Sequence, residues 1–282
     1  MQPTSRQLIL NLLLAAGENG QTVRATIESC ALFGIRENNV RVALARLTAA
    51  GFIEPAERGV YKLGRRAVAL ASDVITWRRA EERVGAWSGS WVTVHVGSLG
   101  RSNRVALRAR DRAMAMLGLR ELDRGLHVRP DNLVGGVGEV RSRLHRLGLD
   151  EAAAVFVATD FDTSRESRAR TLWDGRALTR GYRSTRRRLE RWLDRAGSLD
   201  PRAAAREAYL LGNEAIRLLV FDPLLPAPLV DVDERRAFAQ AVRRHDEAGR
   251  ACWRRLHLVP GADSFAPSQH FDFESVGLLT RP

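Results

Sequence analysis

The chain has 282 residues, 45% of them hydrophobic and 28% charged, with 45 Lys and Arg against 33 Asp and Glu, a formal net charge of +12 and a sequence pI near 11.1. At ~100–200 residues per domain this allows two or three domains, and the apolar content is ordinary for packed cores; the charge surplus points to a polyanionic partner. Two cysteines, Cys30 and Cys252, exclude a disulfide scaffold and fit a reducing cytoplasm, and no run of ~18 uncharged apolar residues is present to cross a membrane. The first residues lack the basic-then-apolar pattern of an exported chain. Lys62 is the one lysine among the basic residues, and with the abundance of Ala this resembles the coding bias of a GC-rich bacterial genome.

In chain order, residues 5–16 carry apolar side chains at helical spacing and end at Gly17 and Gly20. A second helix is predicted over 23–33, stopped by Gly34, and a third over 37–50, stopped by Gly51. Phe52-Ile53-Glu54 and Val60-Tyr61-Lys62-Leu63 read as two short strands around a turn at Glu57-Arg58-Gly59. Three helices followed by a hairpin is the order of a winged helix-turn-helix. Residues 65–87 form an Arg-rich, Trp-containing connector read as largely helical. From Trp91 the pattern alternates and is β-branched, predicting a strand over 91–96. Then follow a helix over 102–117, strands over 119–123 and 125–129, a helix over 132–147 and a buried strand over 153–159. This is the βαββαβ order of a ferredoxin-like domain. Longer helices are predicted over 165–195, 203–221 and 233–257, with Pro201 and the Pro-rich 221–228 stretch between them. The expected fold is α+β and multidomain: a winged helix at 1–66, a helical linker at 67–88, a ferredoxin-like domain at 89–162, a helical domain at 163–258 and a tail at 259–282.

The third helix carries the strongest functional signal. Val40, Leu44 and Leu47 recur at helical spacing and belong to a core. Asn38, Asn39, Arg41, Val42, Ala45 and Arg46, with Arg36 just ahead of them, then fall on or near the outward face. Asn and Arg pair bidentately with adenine and guanine edges in the major groove, and a small Ala45 lets a helix approach closely. Recognition helices place their N-terminal residues on the bases. Arg58, beside Gly59 at the hairpin turn, suits a phosphate or the minor groove. Any one of these arginines alone is ordinary surface; the set on this frame predicts binding to double-stranded DNA.

The run Leu32-Phe33-Gly34-Ile35, with Glu37, Val40-Arg41, Arg46-Leu47, Gly51-Phe52 and Tyr61-Lys62-Leu63, resembles the winged-helix segment of PaaX-like repressors, the phenylacetic acid degradation regulators. Trp87-Ser88-Gly89-Ser90-Trp91, Gly125 with Val128-Arg129-Pro130, and Asp222-Pro223-x-Leu225-Pro226-x-x-Leu229 are similar to further motifs of that family, so the resemblance spans roughly residues 5–257. His127 stands where the family commonly has Trp. The middle domain of such proteins is Cas2-like. The resemblance implies a homodimeric repressor of a catabolic operon, bound to a palindromic operator and released by an acyl-CoA thioester, phenylacetyl-CoA being the family's known effector. The unusually Arg-rich C-terminal helices depart from that pattern and leave the effector's identity open.

Residues 165–195 hold eleven Arg against four acidic residues. Tyr182, Arg183, Arg186, Arg187, Arg188 and Arg191, with Trp192 nearby, are the candidate effector site, since guanidinium forks match phosphates and aromatic rings stack on adenine. Contact with flanking DNA or a solvated face are the other uses of such a run. The histidines (His95, His127, His145, His245, His257, His270) make no HxxxH or HExxH pattern, so no metal is expected. His95 and His127 are candidate neighbours in a sheet. Gly135-Gly136-x-Gly138 is too incomplete for a phosphate loop. A Cas2-like nuclease wants a carboxylate at the end of its first strand; Trp91–Ser98 has none, so no enzyme and no catalytic residue is expected. Asp160 and Asp162 read as helix-start chemistry. The alternatives to a ligand-released regulator are a ligand-independent nucleic-acid binder and, more remotely, a Cas2-like metal-dependent nuclease.

Overall fold

The computed structural model describes residues 2–68, 76–97, 99–100 and 102–256. The expected 259–282 tail, the positions of His257 and His270, and the middle of the 67–88 connector lie outside the described residues. The fold is α+β and largely helical, with two small antiparallel sheets. The chain divides into two compact units. One takes in Met1–Arg78, Thr185–Arg217 and the described residues from Ala239 on; the other takes in Arg79–Ser184 and Leu218–Phe238.

The first unit begins with α1 (Ser5–Ala16), α2 (Val23–Ala31) and α3 (Glu37–Ala49). Thr4 and Thr22 cap α1 and α2 by accepting the amides of Gln7 and Ala25 at 3.2 and 3.1 Å. α2 and α3 both end where a glycine takes up left-handed backbone, Gly34 and Gly51, each at φ +71. After Gly51 the amide of Phe52 reaches back to the Leu47 carbonyl at 3.0 Å, closing the helix end before the chain turns into the hairpin. That hairpin is β2 (Ile53–Glu57) and β3 (Val60–Leu63), joined by the two-residue turn Arg58-Gly59, with Glu57 opposite Val60. The first strand is predicted from sequence to end at Glu54, yet it continues through Pro55. The sheet order β1-β3-β2 leaves β2 at an edge, where Pro is tolerated, and the strand runs on to Glu57 through a register shift. The third strand, β1 (Gln21–Thr22), pairs Gln21 with Tyr61 and was not expected from its two residues.

α1 has no solvent-facing stripe: every residue from Gln7 to Ala16 is buried. Val40, Ala43, Leu44 and Leu47 of α3 join Leu8, Ile9 and Leu13 in the core. The later helices of this unit close over α1 as well. The Asn11 carboxamide donates to the Tyr209 hydroxyl at 2.8 Å. Phe33, from the turn after α2, packs edge-on against Tyr209 at 5.0 Å and stacks near Trp253 at 6.4 Å.

The second unit holds the order expected for its βαββαβ stretch: β4 (Trp91–His95), α4 (Arg104–Met116), β5 (Arg120–Asp123), β6 (Leu126–Pro130), α5 (Gly136–Arg146) and β7 (Ala154–Ala158). The strands lie in the order β5-β6-β4-β7, all neighbours antiparallel. Val92, Val94, Val140, Leu144 and Val155 share its core with α4 residues Ala113 and Met114. β7 forms an edge of the sheet, with Phe156 and Val157 exposed, and Arg141 of α5 donates to its Val155 carbonyl at 2.6 Å. His127 sits opposite Val94, one position off register from His95, so the two histidines point to opposite faces of the sheet and are not side-chain neighbours.

Three expectations need correction. The 132–147 helix starts only at Gly136, because Gly135 is left-handed (φ +86) and the buried Asn132 is engaged elsewhere. The connector's described end is not one helix: Thr76–Arg79 and Glu81–Arg83 are short 3-10 turns, and Val84 bridges to Leu133. The single helix of 165–195 is two, α6 (Thr163–Arg170) and α7 (Gly175–Arg195). Trp173 causes the break. It is buried, donates its indole N–H to the Gly118 carbonyl at 3.1 Å and lies parallel to Trp91 at 6.2 Å. α8 (Pro201–Val220) begins at Pro201 itself, the position where its missing N–H costs nothing, with Asp200 accepting the amides of Arg202 and Ala203. α9 spans Val232–Arg255.

Between α8 and α9, the Asp222–Pro226 stretch is irregular yet buried, and the carbonyls of Pro223, Leu224, Leu225 and Pro226 all have donors. Arg129, 2% exposed, donates to the carbonyls of Leu117 and Pro223, and Asn132 donates to the Leu224 carbonyl at 2.7 Å. Arg235, fully buried, donates to the Leu225 carbonyl at 2.6 Å and pairs with Glu81 at 2.8 Å. The sequence motif at these positions is a stretch of backbone that side chains must bracket.

His245, 1% exposed, leans on the Trp192 ring at 4.6 Å, and burial drops its imidazole to about 4. The unfolded chain accepts a proton near pH ~6.5. The folded state refuses it, so this contribution to stability is present above that pH and is lost as pH falls toward about 4. Asp222 and Asp246, both pushed up to about 6 by burial, act in the opposite sense, so a difference between two chains is the clean readout. Between pH 7 and 4.5, wild type should lose about 2–3 kcal/mol more unfolding free energy than His245→Leu. Equal losses in urea titrations would refute the assignment.

Candidate nucleic-acid interface

α3 is built as a two-sided element. Its inward residues Val40, Ala43, Leu44 and Leu47 are 0–4% exposed. With that face fixed, the 3.6-residue period sends Asn38, Asn39, Arg41, Val42, Ala45 and Arg46 to the other side, and all six are exposed. Val42 is 43% exposed, unusual for a large apolar side chain on a helix with a well-packed core face. Arg36 is the exposed N-cap residue, extended at φ −71, ψ 146, with no side-chain cap bond. Arg58 is exposed at the hairpin turn, and Gly59 beside it is left-handed at φ +77. The eight residues singled out from sequence are thus all at the surface of one unit, seven along α3 and one on the hairpin.

The electrostatics of this face are not uniformly basic. Glu37, in the first turn of α3, holds Arg41 through a 2.7 Å ion pair with both side chains more than half exposed. Such i,i+4 pairs contribute only about 0.3–0.5 kcal/mol. Arg41 is therefore pre-oriented and easily exchanged to another acceptor. On the hairpin Lys62 faces Glu54 at 3.5 Å. Glu37 was not among the site residues taken from sequence; the Glu-to-Arg spacing of four on one helix was the signal for it.

The other arginine cluster is differently placed. Tyr182 is 3% exposed, stacks on Phe238 at 5.7 Å, and its phenol is pushed well up by burial and the nearby Asp222. Arg183 pairs with Glu234 at 3.1 Å, Arg186 with Glu190 at 3.0 Å, and Arg188 with Glu214 through two bonds, one of 2.9 Å. Arg187 and Arg191 are exposed. Tyr182 and Arg183 belong to the second unit, and the other four to the first. Trp192 is 1% exposed against His245.

Asp162 caps α6 by accepting the Arg165 amide at 2.9 Å. Among the described residues no group of three or more His, Cys, Asp or Glu is placed to hold a metal ion, and no helix is long and apolar enough to cross a membrane.

The comparisons with known proteins bear on the same segments. A family model described as PaaX-like protein matches residues 4–67, and one described as PaaX-like protein C-terminal domain matches residues 173–255. No curated protein matches. Among solved structures the chain is similar to the uncharacterized protein Rv0674 from Mycobacterium tuberculosis, with 26% identity and a TM-score of 0.57 over 88% of this chain and 98% of that one. The first family match takes in α1 to α3 and the hairpin, the second α7 to α9, and the chain belongs to the PaaX-like protein family.

Proposed function

We propose that this chain is a sequence-specific DNA-binding transcriptional regulator, a repressor of a catabolic operon rather than an enzyme, that reads its operator with α3 as the recognition helix of a winged helix and Arg58 as the wing contact. The observation that carries this reading is the exposed row Asn38, Asn39, Arg41, Val42, Ala45 and Arg46 on a helix whose opposite face is locked in the core. These side chains match base edges: Asn to adenine, Arg to guanine, and Val42 or Ala45 to a thymine methyl. The net charge of +12 supplies the attraction to phosphates that any such protein needs. In the second unit, the strand order β5-β6-β4-β7 supports a ferredoxin-like, Cas2-like reading, with no carboxylate on β4 for nuclease chemistry.

Membership of a family of phenylacetic acid catabolism regulators supports the rest of the proposal. A homodimer places two α3 helices on the half-sites of a palindromic operator, ~34 Å apart along one face of the duplex. An acyl-CoA thioester, bound with Arg187 and Arg191 on the exposed side of α7, favours a dimer geometry that no longer fits this spacing. Only a difference in its affinity for the two geometries can do that.

The experiment is binding to the chain's own promoter fragment and to random DNA, each with and without acyl-CoA thioesters. A specificity ratio of at least ~10³, abolished by one thioester, is the expected result. Equal binding to both fragments would make this a non-specific binder. Arg41→Ala should cost about 1–3 kcal/mol on the operator. Arg58→Ala should weaken all sequences alike and lower the salt slope by about one. Glu37→Gln removes a negative charge that faces the phosphates, so it should raise affinity for random DNA and lower the specificity ratio. An unchanged ratio for that variant would remove Glu37 from the interface.

A further inference from the structure

A cleft of about 920 Å³ opens in the second unit between α4 and the β5–β6 hairpin. Its apolar wall is made by Val96, Leu107 and Met114. Leu107, Arg110, Asp111 and Met114 are spaced i, i+3, i+4, i+7 on α4 and share one face. On an ordinary helix over a sheet that whole face would be apolar. Here two charged residues interrupt it, and Arg124 and His127 meet them from the hairpin.

The cleft has more donors than acceptors. The Arg110 side chain is only 14% exposed, and its nearest carboxylate, Asp111, stands at 3.8 Å, beyond hydrogen-bond reach. Among the described residues Arg110 makes no hydrogen bond, and Arg124 on the turn makes neither a hydrogen bond nor an ion pair. The Nδ1 atom of His127 is buried without a partner. The acceptors nearby are turned to other uses: Glu121 Oε1 takes the Gly125 amide at 2.8 Å, and Asp111 is 76% exposed to water. Guanidinium groups carry five donors and no acceptor, and covering one without a partner, as at Arg110, is costly; Arg124 is exposed at the rim, open to an incoming anion. One end of the cleft is bare backbone. A Cβ on Gly125 would stand 3.0 Å from the Gly97 Cα, so no side chain fills that end.

We infer that this cleft binds an organic carboxylate with an apolar body, its carboxylate held between Arg110 and Arg124 with His127 at its side, and its body against Val96, Leu107 and Met114. This goes beyond the regulatory reading and stands on the second unit alone: the DNA-binding argument uses none of these residues. Two guanidiniums facing one carboxylate oxygen pair suit charge-assisted bonds, which are stronger than neutral ones.

The test uses the full chain without DNA and a matched pair of probes, 1-naphthaleneacetate and 1-naphthaleneacetamide, which differ in charge and share one apolar body. The expected result is that the acid binds at millimolar concentration or better, and at least about tenfold more tightly than the amide. Arg110→Met, which keeps the stem's packing, and Arg124→Gln should each weaken the acid about tenfold and leave the amide unchanged. Unaltered melting temperatures for both variants would show that folding is not the cause. Equal affinity for acid and amide, no binding of either, or acid binding that both variants retain would overturn the assignment. A naphthylacetyl-CoA arm separates the sources of the anion: competition with the acid would place a thioester's acyl end in this cleft, and binding without competition would leave the cleft to free acids.

Discussion

The Asn11 carboxamide meets the Tyr209 hydroxyl where both side chains are about 1% exposed. A buried polar pair of this kind adds little net free energy while it is made, yet costs about 1–3 kcal/mol when one member is removed. It therefore acts on register more than on strength: α1 can slide or rotate against α8 only by breaking it. Around it, Phe33, Tyr209 and Trp253 pack as an aromatic group and supply the apolar area. Everything proposed for α3 depends on this, because α3 and the hairpin are packed on α1, and α1 is held in place from both sides.

The second unit solves a different problem by a related device. Asp222–Pro226 is neither helix nor strand, and its carbonyls cannot find partners in its own backbone. Arg129 and Arg235 enter the core to serve three of them, those of Pro223, Leu224 and Leu225, together with Asn132. Burial lowers the Arg129 guanidinium to about 9, a measure of how far from water it lies. The same scarcity of partners, inverted, marks the cleft under α4, where the Arg110 guanidinium is largely covered and no carbonyl has been brought to it.

The outward face of α3 was legible in the sequence because a surface is defined by a period: once Val40, Leu44 and Leu47 are inside, the remaining positions have nowhere else to go. The helix ends at Gly34 and Gly51 were legible for a local reason as well. The break at 171–174 was not, since only a distant carbonyl at Gly118 and a distant ring at Trp91 hold Trp173 inward. Nor was the state of the α7 arginines. Arg188 and Arg183 find Glu214 and Glu234, 26 and 51 residues further on, and composition alone counts them as loose charge. The cleft was hidden because its polar groups come one or two at a time from α4, a turn and β6.

The β7 edge bears on how the protein behaves in concentrated solution. A strand that ends a sheet and shows Phe156 and Val157 to water invites another chain to add itself alongside. Arg141 occupies the Val155 carbonyl on that strand. An arriving backbone would have to evict a guanidinium from its acceptor and bring apolar side chains up to a charge. One arginine at this edge thus stands in the way of strand addition by another copy.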